Sequence, residues 1–136
     1  MKHFDGRVAV VTGAASGLGR ALAERFAREG MKLVLADVND AALAQAAAEL
    51  AAGGAEVTAQ QTDVSIAGEV ERLAQRAVET FGAVHVVCNN AGVAPLGVVW
   101  ENSETDWQWT LGVNLWGVIH GVRFFTPILL AQGEEG

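Results

Sequence analysis

The segment Thr12-Gly13-Ala14-Ala15-Ser16-Gly17-Leu18-Gly19 places three glycines within eight residues, directly after the β-branched run Arg7 to Thr12. A diphosphate needs close approach to backbone N–H groups and to the positive end of a helix, and side chains would block that approach. The same residues could make a strand-to-helix turn with no ligand. Three glycines at the carboxyl end of a strand favour the ligand. The spacing is not Gly-x-Gly-x-x-Gly, and no Gly-Lys-Ser/Thr follows, which argues against an ATPase or GTPase loop.

The elements around this loop alternate. Arg7 to Thr12 lacks polar alternation and predicts a strand buried on both faces. Leu18 to Arg28 has helical spacing closed by Gly30, and Lys32 to Ala36 is a second buried strand ending at Asp37. Asn39 or Asp40 can cap an Ala-rich helix that runs to about Ala52 and stops at Gly53-Gly54. Glu56 to Gln61 is a third strand, polar enough for a sheet edge. Ser65 is expected to cap a helix from about Ile66 to Phe81, ended by Gly82. Ala83 to Cys88 predicts a fourth buried strand, followed by an exposed loop from Val93 to Glu101. Ser103 and Asp106 have capping-box spacing. From Leu111 to Ala131 the polar side chains are few, so this helix needs a second partner besides a sheet. Parallel strands joined by helices give an α/β fold, a doubly wound parallel sheet of the Rossmann type.

Composition narrows the partners. Of the 136 residues, 51% are hydrophobic and 18% charged, enough for one domain with a packed core and too apolar for disorder. Nine Lys+Arg against sixteen Asp+Glu give a net charge of −7 with no basic block, so a nucleic acid is not an expected partner. The single cysteine, Cys88, excludes a disulfide framework and a cysteine-rich zinc site, and no metal is expected. No apolar run reaches roughly 18 residues without Gly, Pro, His or a charge, and the start at Met1 lacks a signal peptide's apolar core. A cytoplasmic protein away from membranes is the expectation.

Four motifs in order, Thr-Gly-x-x-x-Gly-x-Gly at 12–19, Asp63-Val64, Asn89-Asn90-Ala91-Gly92 and Val113-Asn114, make the chain resemble the short-chain dehydrogenase/reductase family along its whole length. The resemblance implies an NAD-dependent oxidoreductase that transfers a hydride between the coenzyme and a secondary alcohol or ketone. Gly13, Ser16, Gly17, Leu18 and Gly19 would then hold the diphosphate. Asp63 and Val64 would border the adenine, and Asn90, Ala91 and Gly92 the ribose and nicotinamide end. Asn89 and Cys88 have structural roles in this reading. Asp37, at the end of the second strand, can accept hydrogen bonds from both ribose hydroxyls and would repel the extra phosphate of NADP. Ser16 and Val38 supply no compensating cation, so NAD is the predicted cofactor.

Of the catalytic set that the resemblance implies, Asn114 alone is present, and a helix-kink or core hydrogen bond is its competing role. The chain has no tyrosine, its lysines are Lys2 and Lys32, and it ends at Gly136 where the family would begin a fifth strand. His85 and His120 are expected to be satisfied structural histidines rather than bases. The chain is therefore read as a single NAD-binding domain over 1–136, the half of such an enzyme that binds the coenzyme. A non-catalytic NAD-binding fragment or interaction module is the alternative, and a nucleotide-fold methyltransferase fits the loop spacing poorly. A sheet order 3-2-1-4 would leave Val84 to Cys88 as a bare edge. The Leu111 to Ala131 helix would pair with a second copy, with Trp107, Trp109 and Trp116 as candidates for that surface or for the core. Leu96, Val98, Val99 and Trp100 hint at an apolar substrate.

Overall fold

A computed structural model describes residues 3–134. The first two and last two residues, on which the expectations for the termini partly rest, lie outside the described residues. Four parallel strands, β1 (Val8–Thr12), β2 (Lys32–Asp37), β3 (Val57–Gln61) and β4 (Val86–Cys88), form one sheet in the order β3-β2-β1-β4. Helices α1 (Gly17–Arg28), α2 (Asp40–Ala52) and α3 (Ala67–Phe81) are the crossovers. After β4 come a short 3-10 turn at Val99–Glu101, α4 (Glu104–Leu111), a π turn over Gly112–Trp116 and α5 (Gly117–Ala131). This is the doubly wound α/β sheet the alternation predicts.

The absence of polar alternation in β1 and β2 has the expected cause, since successive side chains point to opposite faces and both faces are covered. Val8, Val10, Val34 and Ala36 pack with Val70, Leu73 and Ala77 of α3 and Phe125 of α5. Ala9, Val11, Leu33 and Leu35 pack with Ala23 of α1, Leu43 and Leu50 of α2, and Met31. The register pairs Thr12 with Ala36 and Val11 with Cys88, so β1, β2 and β4 end together. Their carboxyl ends form one shelf, and the glycine loop leaves from its middle.

Several boundaries differ from the expectations. Ser65 does not cap α3. Its N–H and Oγ both donate to Asp63 Oδ1, at 2.9 and 2.6 Å, and Ile66 takes the capping position. The Asp63 carboxylate outcompetes the helix for the Ser65 side chain. Asn39 caps α2 through its side chain, and Ser103 with Asp106 makes the capping box at α4.

The fourth strand is shorter than Ala83 to Cys88 and only half-buried. One side chain ends its pairing with β1, and another occupies the residue before it. Val8 donates its N–H to His85 Nδ1 at 3.0 Å rather than to a strand carbonyl. The amide of Gln132, just past α5, accepts from Val84 N at 3.1 Å and donates to Val84 O at 2.6 Å. Its half-burial follows from its position at the sheet edge, with no strand beyond it among the described residues.

The expected Leu111 to Ala131 helix is the later part of one continuous helix, Glu104–Ala131, of 28 residues. It is long and apolar enough to cross a membrane, with a mean hydropathy of 1.3 over its most apolar 18 residues, although Gly, His, Arg and Pro interrupt its apolar run. Its buried residues Gly117, His120, Gly121 and Phe125 nevertheless lie on one flank, and Phe125 packs in the core shared with α3 and the sheet.

Candidate functional site

The glycine loop is shaped by contacts that a side chain would destroy. A Cβ at Gly19 would lie 2.1 Å from the Gly13 carbonyl oxygen, and one at Gly13 would lie 2.9 Å from Ala91 Cα. Gly13 and Gly17 have φ of +66° and +53°, in the left-handed region that favours glycine. Asn90 locks the loop from the neighbouring strand end, donating from Nδ2 to Thr12 O at 2.9 Å. Thr12 Oγ1 in turn accepts from the N–H groups of Asn90 and Ala91, at 3.0 and 3.1 Å. The loop that results leads into α1 at Ser16, whose side chain makes no capping bond, and the first turn carries no acidic residue. The first N–H groups of a helix have no partner within it, so this positive end faces outward without a competing acceptor from its own cap.

Asp37 is fixed beside the loop. Its Oδ2 accepts from Ala15 N and its Oδ1 from Asn39 N, both at 3.0 Å. Asp63 is fixed on the far side of β2, accepting from Ser65 while its own N–H donates to Glu69 Oε2 at 2.6 Å. These groups line one cleft of about 470 Å³ across the carboxyl ends of the strands. Gly13, Ser16, Gly17, Leu18, Asp37, Asp63 and Val64 line it, together with Asn90, Ala91 and Gly92. Gly19 sits behind the loop, where it lets α1 approach Gly13, and does not line the cleft.

Asn114 does not line the cleft either. Its Oδ1 accepts from Val93 N and its Nδ2 donates to Val93 O, both at 2.8 Å, so both halves of the amide hold the loop that leaves Gly92. The π turn around Asn114 brings that side chain to the loop. His85 and His120 are satisfied. His85 contacts Val8 N and Glu134, and His120 Nδ1 lies 2.9 Å from Val64 O. Burial pushes the Cys88 thiol up, away from reactivity. No cluster that could hold a metal occurs among the described residues.

Val38, Thr62, Val93, Trp109 and Val113 also line the cleft. The sequence marks Val38 only as a position without a cation, Val93 as the start of a loop, Val113 as part of a motif and Trp109 as a surface or core candidate, and Thr62 not at all. Trp109 and Val113 stand four apart on a helix, a spacing that puts them on one face, but where that face docks is a tertiary fact. The lining contains the carboxylates Asp37 and Asp63 and no lysine, arginine or histidine.

A parallel sheet with a glycine turn after its first strand, an acid ending its second and a cleft where the strand order reverses defines a dinucleotide-binding α/β fold. The chain belongs to the short chain dehydrogenase family, whose model matches residues 7–136. It is 48% identical over 134 residues to 1-deoxy-11-beta-hydroxypentalenate dehydrogenase of Streptomyces exfoliatus, covering 97% of this chain and 49% of that protein. Among solved structures it is similar to a short chain dehydrogenase/reductase from Burkholderia phymatum in complex with NAD. That match has 57% identity and a TM-score of 0.96, covering 98% of this chain and 48% of the other. An alcohol dehydrogenase from the archaeon Thermococcus sibiricus, complexed with 5-hydroxy-NADP, matches at 38% identity and a TM-score of 0.88, over 93% of this chain and 55% of that one. The chain spans about half the length of the curated relatives it matches.

Proposed function

We propose that this chain is a single NAD-binding domain of an oxidoreductase that moves a hydride between NAD and a secondary alcohol or ketone. The observation that carries the choice of coenzyme is Asp37, a cleft-lining carboxylate with no cation among the lining residues. A carboxylate has about four acceptor sites, and Ala15 and Asn39 use one on each oxygen. One acceptor site per oxygen remains for a ribose hydroxyl, and the group is already immobilised. Against NADP the same carboxylate would face a phosphate. Unit charges about 4 Å apart at an effective dielectric near 20 repel by roughly 4 kcal/mol. Titration calorimetry with both coenzymes should give at least about tenfold tighter binding of NAD. Equal affinity for the two overturns the assignment.

In this reading the amides of Ser16, Gly17 and Leu18 hold the diphosphate, Asp63 and Val64 border the adenine, and Ala91 and Gly92 offer backbone to the nicotinamide end. When bound, NAD supplies the hydride acceptor. Asn114 serves by holding Val93 and the loop beside that end. The relative named for an 11-beta-hydroxy compound and the one named alcohol dehydrogenase support a hydroxyl-bearing substrate. The exposed Leu96, Val99 and Trp100 support an apolar one. A second copy of the chain, docking on the α4–α5 face, is the proposed partner, and a cytoplasmic setting goes with it. A non-catalytic NAD-binding module is the second reading, favoured by the absence of any tyrosine to accept the proton. Coenzyme reduction by this chain with a panel of secondary alcohols separates them, since the module binds NAD without turnover.

A further inference from the structure

We propose that Trp109 is a coenzyme-binding residue whose indole packs against the purine at the open rim of the cleft, an inference that rests on the cleft being an NAD site. Among the described residues Trp109 is the one aromatic side chain that lines the cleft. It is 48% exposed and belongs to neither core cluster, so core packing does not account for it. Its place is set by two glycines further along the helix. A Cβ at Gly117 would lie 2.6 Å from Val64 Cγ2, and one at Gly112 would lie 3.4 Å from Ser65 Cβ. His120 Nδ1 meets Val64 O at 2.9 Å on the same flank. The helix therefore runs along the Val64–Ser65 turn, and Trp109 stands one turn before Gly112, above Val113.

Across the cleft from this turn stands Val38, next to Asp37 and 64% exposed. With a ribose held by Asp37, the attached base lies between Val38 and the wall made by Val64, Val113 and Trp109. A purine has two apolar faces and a polar edge, and the cleft offers apolar walls with Asp63 at the edge. An indole adds a flat polarisable surface to one wall, and base–aromatic stacking survives without hydrogen bonds because every base has a π-face.

The test is titration calorimetry of NAD, ADP-ribose and nicotinamide mononucleotide on the protein carrying this chain and its variants. Trp109→Ala should weaken NAD and ADP-ribose by about tenfold and leave nicotinamide mononucleotide unchanged, with Trp109→Phe within about threefold of the parent. Trp109→Leu, which keeps apolar volume without a ring, covers the case in which the alanine variant does not fold, and it should also weaken ADP-ribose. Trp107→Ala, an equally exposed change outside the cleft, should alter none of the three. ADP-ribose affinity within about twofold of the parent in both the Ala and Leu variants overturns the role of Trp109. So does an equal loss for nicotinamide mononucleotide. Failure of the folded parent itself to bind NAD or ADP-ribose overturns the reading of the cleft, and is seen before any variant is compared.

Discussion

Two glycines in the same loop answer to different physics, which separates loop shape from backbone strain. At Gly19 the obstacle is the Gly13 carbonyl, 2.1 Å from where a Cβ would stand, with Asn90 Nδ2 at 2.5 Å. Backbone cannot move aside as a side-chain end can, so Gly19→Ala should push α1 off the loop. The expected outcome is a loss of about 1–3 kcal/mol in unfolding free energy, with NAD affinity down by more than about tenfold. At Gly17 no atom lies within 4 Å, and the obstacle is a φ of +53°. Gly17→Ala should destabilise by about 1–2 kcal/mol, and because Gly17 lines the cleft the new methyl should also hinder a diphosphate. Urea melts on both variants check the two backbone costs. Unchanged NAD affinity in folded Gly17→Ala, read by calorimetry, would remove the diphosphate from this part of the loop. Asp37 belongs to the same scale: Asp37→Ser should narrow the gap between NAD and NADP chiefly by improving NADP, as read in paired titrations.

At the scale of elements, what steadies the end of the cleft is a helix with one extra residue in a turn. The π turn brings Asn114 to Val93, where its amide replaces a neighbouring strand for one residue. Asn114→Ala should cost roughly 1–2 kcal/mol for the two lost bonds and speed hydrogen exchange at the Val93 amide, read by NMR. Unchanged exchange there would refute the clamp. The other end of the long helix is held by Gln132 on Val84 and by Glu134 on His85 and Arg7. The hydrogen bond from His85 holds the Glu134 carboxyl below its ordinary value, with the nearby Arg7 charge adding to it. A carboxyl lowered by folding gives stability that is in place above its unfolded pKa and is lost as pH falls through the folded one. The melting temperature of Glu134→Gln should therefore lie below that of the parent near neutral pH. The gap should close as pH drops below about 4. A gap that stays constant into acid would dissociate Glu134 from the acid limb.

The alternation of β1, α1, β2, α2 and β3 was legible because each element announces itself locally, through β-branched runs, Asn39 and the stops at Gly30 and Gly53-Gly54. Most of the cleft was legible for the same reason, since the loop, Asp37, Asp63 and Asn90 to Gly92 all sit at strand ends. What was not legible depends on who wins a hydrogen-bond partner in three dimensions. Asp63 takes Ser65 from the helix it would cap, the His85 ring takes the Val8 N–H that would have extended the pairing of β4, Gln132 holds the outer edge at Val84, and Asn114 spends its side chain on Val93. Trp109 shares the difficulty, for its helical spacing is plain while the docking of its helix is set by Gly112 and Gly117 against a distant turn.

At the scale of the whole molecule, the described chain leaves apolar surface that a lone copy does not cover. Leu111, Leu115, Val118 and Val122 recur at intervals of four, three and four along the long helix and are between 38% and 53% exposed. That interval is the seam of one helix packing lengthwise on another, and it lies away from the flank of Gly117, His120, Gly121 and Phe125 that is buried. A membrane would cover such a stripe as well. Asn114 and Arg123 on the same helix would then need partners in hydrocarbon, whereas a second copy leaves Arg123 at the rim in water. Sedimentation of the parent at micromolar concentration should therefore show a dimer or larger species without detergent. The pair Leu115→Glu and Val122→Glu should shift it toward the monomer, since two carboxylates buried against their copies repel and lose water. NAD affinity should be unaffected, because neither residue lines the cleft. A parent that sediments as a monomer would remove self-association altogether, whereas a double variant that associates as before would remove the helix stripe as the docking face and point to the open edge of β4 instead.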